Sequence, residues 1–421
     1  MYNSLKFPFA VDPYALLSHF SGTAAWLNSN DTNKASIIAL GVNHELSLTN
    51  TENAFDQLKD FHIKHKEWLF GYFGYDLKND VEDLESENPD LHQFPDMHFF
   101  QPKAIIETIG DFTNLYLAET ENLKTWEPLI NRSRNQFIFK EEQQKIEKIK
   151  GIEETDYLKN FEKLAAHIQR GDIYEVNYCI EFKANDIEIS PLELYHRLNQ
   201  KSEAPFSVFY RSNGRYLLSG SPERYLKKQG NKLISQPIKG TIKRGKDEKE
   251  DELLKQQLLN DPKERAENVM IVDLVRNDLS RVANKGSVKV DELFGVYSFK
   301  TVHHLISTIS CTIDTDVHPV DAIKATFPMG SMTGAPKISA MQLIEKHEQF
   351  KRGIYSGSFG CFLPGGDFDF NVVIRSIIYN QNLKTLSFPV GGAITAGANG
   401  AQEYRECLLK AESMKKAIQN R

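Results

Sequence analysis

Cysteine is scarce in this 421-residue chain, which contains only four: Cys179, Cys311, Cys361 and Cys407. They lie far apart and form no CxxC pair, so the sequence predicts neither a disulfide framework nor a zinc site. No stretch approaches ~20 consecutive apolar residues, and the N-terminus lacks the charged lead and apolar run of a signal peptide. We therefore expect a reduced, cytoplasmic protein that does not enter a membrane.

Positive charge is not in excess either, because 51 Lys and Arg residues stand against 57 Asp and Glu residues, for a formal net charge of −6. This balance argues against nucleic acid or an anionic membrane as the main partner. It leaves room for a small anion, which needs only a local cluster of cations. Hydrophobic residues at 40% and charged residues at 26% are ordinary globular usage and argue against global disorder.

A charged stretch at 140–154 divides the chain. Before it, apolar and β-rich runs at 35–40 and 103–108 predict strands. The glycines of 68–76 indicate a close backbone approach within a sheet. Residues 1–140 therefore read as a region of short strands and helices, and 155–421 as the second region.

The second region carries long helices among many strand-like runs. Apolar spacing predicts helices at 156–170, 266–282 and 401–418, the first ending at Gly171 and the second following the start signal Asp261-Pro262. Runs that predict strands lie at 216–220, 301–313, 370–379 and 383–390. This order favours an α+β layered architecture over a regular βαβ alternation.

Two of these helices carry carboxylates where a plain core would have apolar side chains. Glu267 is in line with the apolar stripe of its helix, and Glu403, Glu406 and Lys410 share one helix face. A buried carboxylate is costly unless it is paired or binds a metal. The four residues therefore predict either an oxygen-ligand site for Mg²⁺ or charges that reach water at the edge of each stripe.

Lys239 lies between Pro237 and Gly240, in a turn-forming context that could bury its amine. Desolvation lowers the pKa of a lysine and makes it a nucleophile or a base. Glu223, one short hairpin away, is a matching general acid. The alternative interpretation is a surface hairpin with solvated charges.

Two further features favour an anionic ligand. Arg375 lies within an apolar run that predicts a strand, where it either pairs with a carboxylate or simply points outward. The glycine-rich segments 330–337 and 390–400 let backbone N–H groups approach an anion, although neither is a nucleotide-binding P-loop. His303 and His304 lack the spacing of a zinc motif, and one of them is expected to be a hydrogen-bonding site or core residue.

Several motifs together resemble the chorismate-utilising enzymes, a family that includes anthranilate, aminodeoxychorismate and isochorismate synthases. They are GDIYEVN at 171–177, SPER at 221–224, PIKGT at 237–241, AENVMIVDLVRND at 266–278, HLIS at 304–307, GSMTGAPK at 330–337 and NVVIR at 371–375. The resemblance covers nearly all of 155–415, in the family's order. The segment GYFGYD at 71–76 resembles the family's lead-in less specifically.

The resemblance implies a layered α+β fold with antiparallel sheets in the core and helices outside. Residues 1–140 would be an N-terminal lead-in packed on the core, and 155–421 the chorismate-binding catalytic region. Within the family, PIKGT with Lys239 is typical of members that make 4-amino-4-deoxychorismate. Lys239 would attack C2 of chorismate and expel the C4 hydroxyl, with Glu223 as general acid, before ammonia attacks C4.

The resemblance also implies roles for other residues. His304 would assist at the C4 oxygen. The implied Mg²⁺ ligands are Glu267 and Glu406, with Glu403 joining through water. The implied substrate-binding residues are Thr241, Tyr355, Arg375, Gly392 and Lys410.

This sequence differs from the family pattern at three positions. Glu175 stands where ammonia-using members usually have Gln, Ala393 replaces a frequent glycine, and Cys407 replaces a frequent threonine. The chain has no region like a glutaminase, so the resemblance implies a glutamine amidotransferase partner that supplies ammonia. A lyase would then complete 4-aminobenzoate, a folate precursor.

Two other functions stay open at this point. One is anthranilate synthase component I, which would not need Lys239 as a nucleophile. The other is a non-catalytic sensor of chorismate or tryptophan, which the retained set of acidic and basic residues disfavours.

Overall fold

The computed structural model describes residues 2–139, 146 and 148–419. The predicted charged connection therefore lies partly outside the described residues, which exclude 140–145 and 147. Within the described ranges, no helix has both the length and the apolar character needed to cross a membrane. The four cysteines are buried and free, as their scarcity predicted.

Eleven α-helices lie within the described residues. They are α1 Pro13–His19, α2 Ala54–Lys64, α3 Lys78–Val81, α4 Leu123–Arg132, α5 Glu154–Arg170, α6 Pro191–Ser202, α7 Glu248–Asn260, α8 Pro262–Ser280, α9 Pro319–Thr326, α10 Lys337–His347 and α11 Gly400–Ile418. The three helices predicted in the second region correspond to α5, α8 and α11. Asp261 caps α8 by accepting a hydrogen bond from the Glu264 N–H, and Gly171 ends α5 in the left-handed conformation.

The strands, in chain order, begin with eight in the first region. These are β1 Tyr2–Phe7, β2 Ala24–Asn28, β3 Ser36–Leu40, β4 His44–Leu48, β5 Leu69–Phe73, β6 Met97–Gln101, β7 Ala104–Ile109 and β8 Phe112–Ala118. The others are β9 Glu175–Ala184, β10 Phe206–Ser212, β11 Arg215–Ser221, β12 Arg224–Gln229, β13 Lys232–Gln236, β14 Ile238–Lys243, β15 Lys289–Ser298, β16 Val302–Thr312, β17 Gly334–Ala335, β18 Ser358–Phe362, β19 Phe368–Asn371, β20 Ser376–Asn380 and β21 Thr385–Thr395.

These strands form two antiparallel sheets. Sheet A has the order β1-β8-β7-β3-β2-β10-β11-β20-β21-β9-β17. Sheet B has the order β14-β16-β13-β12-β19-β18-β5-β6-β4, and β15 also pairs with β16. Strands of the first region thus complete both sheets, although the boundary between the two regions stays a prediction.

Alternating side chains give each sheet two packed faces. In β2 and β3, Ala24 and Ile38 pack on the side of helices α1, α4, α5, α6, α10 and α11. Their neighbours Ala25 and Ala39 pack on the other side, in a cluster with sheet B and helices α2, α8 and α9. The predicted α+β architecture, with antiparallel sheets inside and helices outside, is confirmed.

Strand glycines allow close backbone approach, as the sequence predicted for 68–76. Gly71 in β5 lies so near β6 that a Cβ atom would come 2.0 Å from the carbonyl oxygen of His98. A side chain at this position would therefore separate the two strands.

The single strand predicted for 370–379 is wrong. It is two strands, β19 in sheet B and β20 in sheet A, because the chain crosses from one sheet to the other at 372–375. The continuous apolar sequence hides this crossing, since its side chains are buried in both sheets. Arg375, at the end of the crossing, has a positive φ of 52°.

Candidate active site

One cavity of about 500 Å³ gathers every residue that the sequence singled out for chemistry. The predicted residues that line it are Glu223, Lys239, Thr241, Glu267, His304, Tyr355, Arg375, Gly392, Glu403, Glu406 and Lys410. They come from strands of both sheets, from helices α8 and α11, and, for Glu223, Tyr355 and Arg375, from the connections between elements. The fold therefore brings together segments that are up to 187 residues apart, the span from Glu223 to Lys410.

A β-bulge aims Lys239 into this cavity. On β14, Ile238 pairs with Ile306 and Thr241 pairs with His304, so two residues of β14 oppose one residue of β16. Gly240 takes a φ of +97° within the bulge, a conformation that glycine adopts without strain. The extra residue re-aims the Lys239 side chain, which is only 12% exposed.

The buried amine of Lys239 is ion-paired with Glu175. The Nζ atom lies 2.5 Å from Oε1 of Glu175, a residue at the start of β9 in the other sheet. Burial by itself lowers the pKa of Lys239, as the sequence predicted, but the charges of Glu175, Glu267 and Glu223 outweigh burial and raise the pKa. The prediction of a lowered pKa is therefore wrong, because it could not include a carboxylate from another sheet.

Glu223 is buried where β11 leaves sheet A, before β12 begins in sheet B. Burial raises the pKa of its carboxyl group to about 7, against the opposing influence of Lys239 and the Ile238 N–H. The group is therefore substantially protonated near neutral pH, the state that a general acid needs.

His304 lines the cavity as a neutral imidazole. Burial and the charge of Arg375 lower its pKa to about 3. Its Nδ1 atom lies 2.8 Å from the hydroxyl oxygen of Thr241 on the paired strand. The neighbouring His303 points elsewhere and is hydrogen-bonded to Asp251 at 2.9 Å, which makes it a core residue.

Cations and N–H donors collect at one end of the cavity. Arg375 donates from Nη1 to the Lys410 carbonyl at 3.4 Å, and Lys410 donates from Nζ to the Gly391 carbonyl at 2.9 Å. A Cβ atom on Gly392 would lie 3.4 Å from Oε2 of Glu403, an ordinary van der Waals distance. The buried Tyr355 lies beside these groups. This end offers an anion a bidentate guanidinium and an ammonium group.

Carboxylates from α8 and α11 line the adjoining wall of the cavity. Glu403 is buried, and the Lys263 ammonium lies 3.1 Å from its Oε1 atom and 3.7 Å from Oε1 of Glu267. The buried Oε1 atom of Glu267 has no hydrogen-bond partner. Glu406 pairs with Lys410 at 2.6 Å.

This donor set fits a hard cation. The Lys263 ammonium already lies near two of the carboxylates, and Oε1 of Glu267 has no hydrogen-bond partner. Across the described part of the chain, no group of three metal-ligating side chains is already gathered around one point. Mg²⁺ needs only one or two carboxylates when waters and substrate oxygens complete its shell, so the carboxylates of this wall are donors of the right kind and number.

Two residues of this wall were missed by sequence reasoning, namely Lys263 and Glu264. Burial, with the charges of Glu267 and Glu406, raises the pKa of Glu264 to about 7. Both precede Glu267 by one helical turn on α8, so three- and four-residue spacing was the signal that could have found them.

A wider groove of about 1650 Å³ opens beside the cavity and shares Lys263 and Glu267 with it. Apart from Glu267, it includes none of the predicted site residues. The chemistry therefore belongs to the smaller cavity, where Lys239, Glu223 and Arg375 converge.

Comparison with known proteins gives the same family as the motifs. The chain is 35% identical over 391 residues to a probable chloroplastic aminodeoxychorismate synthase of Oryza sativa subsp. japonica, covering 83% of this chain and 43% of the relative. It is 40% identical over 265 residues to aminodeoxychorismate synthase component 1 of Salmonella typhimurium, covering 63% of this chain and 58% of the relative. The chain thus spans about half the length of these curated relatives.

A solved structure, anthranilate synthase component I of Streptococcus pneumoniae, superposes with a TM-score of 0.80 at 26% identity, covering 91% of this chain and 92% of the other. The family described as chorismate binding enzyme matches residues 12–416. This chain belongs to the family of chorismate binding enzymes.

Proposed function

We propose that this protein converts chorismate and ammonia to 4-amino-4-deoxychorismate. The observation that carries the proposal is the placement of Lys239, whose amine enters the same cavity as the buried acid Glu223 and the cation Arg375. An amine at this point supplies a covalent route that anthranilate synthesis does not need. The names of the plant and Salmonella relatives support the same activity.

The dicarboxylate substrate fits the charge pattern of the cavity. Arg375, Lys410, the Tyr355 hydroxyl and the backbone N–H near Gly392 would bind carboxylates at the cationic end. At the adjoining carboxylate wall, Glu267 and Glu406 would hold Mg²⁺, with Glu403 joining through water. When bound, the cation would hold the ring carboxylate and screen its charge.

The reaction would run in two displacements. In the first, the neutral Lys239 amine forms a bond to C2, both ring double bonds shift (C1=C2 to C1=C6 and C5=C6 to C4=C5), and the C4–O bond breaks. Glu223 gives its proton to the departing hydroxyl, which leaves as water, and His304 and Thr241 contact the oxygen. In the second, ammonia attacks C4, both double bonds return to their original positions, and the C2–N bond to Lys239 breaks, while the new C4 ammonium gives one proton back to Glu223. The lysine is thereby regenerated.

The ammonia would come from a glutamine amidotransferase. The printed name of the Salmonella relative, component 1, supports a separate partner subunit. A lyase that removes pyruvate would turn the product into 4-aminobenzoate for folate synthesis. A cytoplasmic location stays a prediction.

Replacing Lys239 tests the covalent route. With chorismate, Mg²⁺ and an ammonium salt, the wild-type protein should form 4-amino-4-deoxychorismate, identified by chromatography and mass spectrometry. Lys239→Ala should lower its rate of formation by about a thousandfold or more, because alanine removes the proposed nucleophile. Lys289→Ala, which replaces an exposed lysine of β15 in the same sheet that does not line the cavity, is the control. Anthranilate as the main product, or full activity of Lys239→Ala, would contradict the proposal.

Replacing Glu223 should stabilise the fold at alkaline pH and lower the catalytic rate. Its folded-state pKa, about 7, lies above its ordinary value of 4.5, so its protonated form stabilises the fold and this contribution is lost as pH rises through about 7. Glu223→Gln should therefore raise the free energy of unfolding at pH 8 by about 1–3 kcal/mol and change it little at pH 4.

The same variant should lose about 10²–10⁴-fold in kcat, since an amide cannot donate the required proton. Thermal unfolding across pH checks the first effect, and initial rates check the second. Glu188→Gln, which replaces an exposed carboxylate shortly after the end of β9, is the control. Its free energy of unfolding should show no such gain at pH 8. A Glu223→Gln variant that is active, or less stable at pH 8, would remove Glu223 from the acid role.

Metal removal tests the carboxylate wall. A chelator should abolish product formation and Mg²⁺ should restore it, since the substrate's ring carboxylate then has a counterion near Glu267. Glu267→Gln should weaken Mg²⁺ binding, measured by calorimetry with chorismate present, by about tenfold or more. Asp273→Asn, an exposed position on the same helix, is the matched control. Undiminished Mg²⁺ affinity in Glu267→Gln would exclude this wall as the cation site.

A further inference from the structure

The Lys239 amine is held from the sheet opposite its own. Lys239 belongs to β14 in sheet B, and its partner Glu175 belongs to β9 in sheet A. The Nζ and Oε1 atoms are 2.5 Å apart, and the two side chains are only 12% and 6% exposed. The contact therefore joins the proposed nucleophile, in sheet B, to a carboxylate of sheet A.

The backbone of Glu175 is fixed by neighbours on both sides. It pairs with Thr395 of β21 and with Ala335 of β17, and the adjacent Tyr174 N–H donates to the Ala335 carbonyl at 2.6 Å. A residue held by two strands cannot follow a moving lysine. The carboxylate is consequently an anchor that determines where the Lys239 amine points.

Other charged groups face Lys239 from every element around it. Glu223 precedes β12, Glu267 projects from α8 and Glu406 from α11, and each acts on Lys239 at longer range than Glu175. His304 on the adjacent strand β16 is neutral, because burial and Arg375 lower its pKa to about 3. Glu175 is the carboxylate in hydrogen-bond contact, and its influence on the pKa of Lys239 is the largest of these charges.

We propose that Glu175 is a positioning residue for Lys239, whose carboxylate anchors the amine across the two sheets through their buried contact. The inference deepens the proposed function, on which its catalytic meaning rests. An ammonium has no lone pair and cannot attack carbon, so the carboxylate sets the fraction of enzyme in which Lys239 is nucleophilic. An amide at this position would keep a hydrogen-bond acceptor near the amine and remove the charge.

The sign of the effect follows from the charge. A carboxylate beside an ammonium favours the charged form and raises the pKa of the lysine. Glu175→Gln removes that attraction while burial continues to disfavour the ammonium. Lys239 should therefore lose its proton at a lower pH in this variant.

The test measures the pH at which the Lys239 amine loses its proton. The full-length protein, without chorismate, is treated briefly with acetic anhydride over a range of pH. The acetylated fraction of the Lys239 peptide is then determined by mass spectrometry. Because only the neutral amine reacts, the midpoint of this curve reports the pKa of Lys239. We expect Glu175→Gln to lower the midpoint by about one to three pH units relative to the wild type.

Glu181→Gln is the matched control, since it makes the same change on the same strand. Glu181 is six residues along β9, about 20 Å away at ordinary strand rise, and the charged groups that act on Lys239 do not include it. Its midpoint should equal that of the wild type. Glu175→Asp, which keeps the charge but shortens the side chain, should give an intermediate midpoint and serves if Glu175→Gln does not fold.

An unchanged midpoint in Glu175→Gln, or in Glu175→Asp if only that variant folds, would overturn the proposal. So would an equal shift in Glu181→Gln. The measurement needs no turnover, so its result is independent of the product assay. A lowered midpoint in a protein that makes no 4-amino-4-deoxychorismate would retain the ion-pair role and reject the proposed function.

Discussion

The burial of opposite charges between two sheets is the constraint on which the site depends. Lys239 from sheet B and Glu175 from sheet A meet at 2.5 Å in a place largely closed to solvent. Either charge alone would be costly there, because a buried ion that lacks a partner loses its hydration without compensation. The pair therefore requires the two sheets to keep their mutual position, and that position in turn defines the cavity.

The same constraint extends through the cavity wall. Lys263 lies between Glu403 and Glu267, and Lys410 pairs with Glu406 on the same helix. Where partners are insufficient, burial changes protonation instead, and the pKa values of Glu223 and Glu264 rise to about 7. Charge balance and chemistry are thus linked, since an acid that is protonated near neutral pH is one result of incomplete pairing.

The sequence was sufficient where local pattern determines structure. Apolar spacing and end signals predicted α5, α8 and α11, and the motifs predicted a family whose site residues line one cavity. The sequence was insufficient for features that depend on contact with a distant segment of the chain. Arg375 was predicted within a continuous strand, yet the chain crosses between sheets just before it, because apolar residues suit both cores equally.

Lys239 shows the same limit more sharply. Its local context predicted burial correctly, but the direction of its pKa depends on Glu175, which is 64 residues earlier in the chain. Lys263 and Glu264 illustrate a different limit, because their helical spacing from Glu267 was present in the sequence. Polar residues on one face of a helix are normally interpreted as solvent-exposed. Only the position of α11 shows that this face of α8 lines the cavity.

The most direct test of the covalent role of Lys239 is to trap its adduct. The protein is mixed with chorismate and Mg²⁺ in the absence of ammonia, quenched with acid, digested and analysed by mass spectrometry. The account predicts that the peptide containing Lys239 gains the mass of chorismate less one water, with the modification on that lysine. An unmodified Lys239 in a protein that goes on to form 4-amino-4-deoxychorismate when ammonia is added would contradict the account.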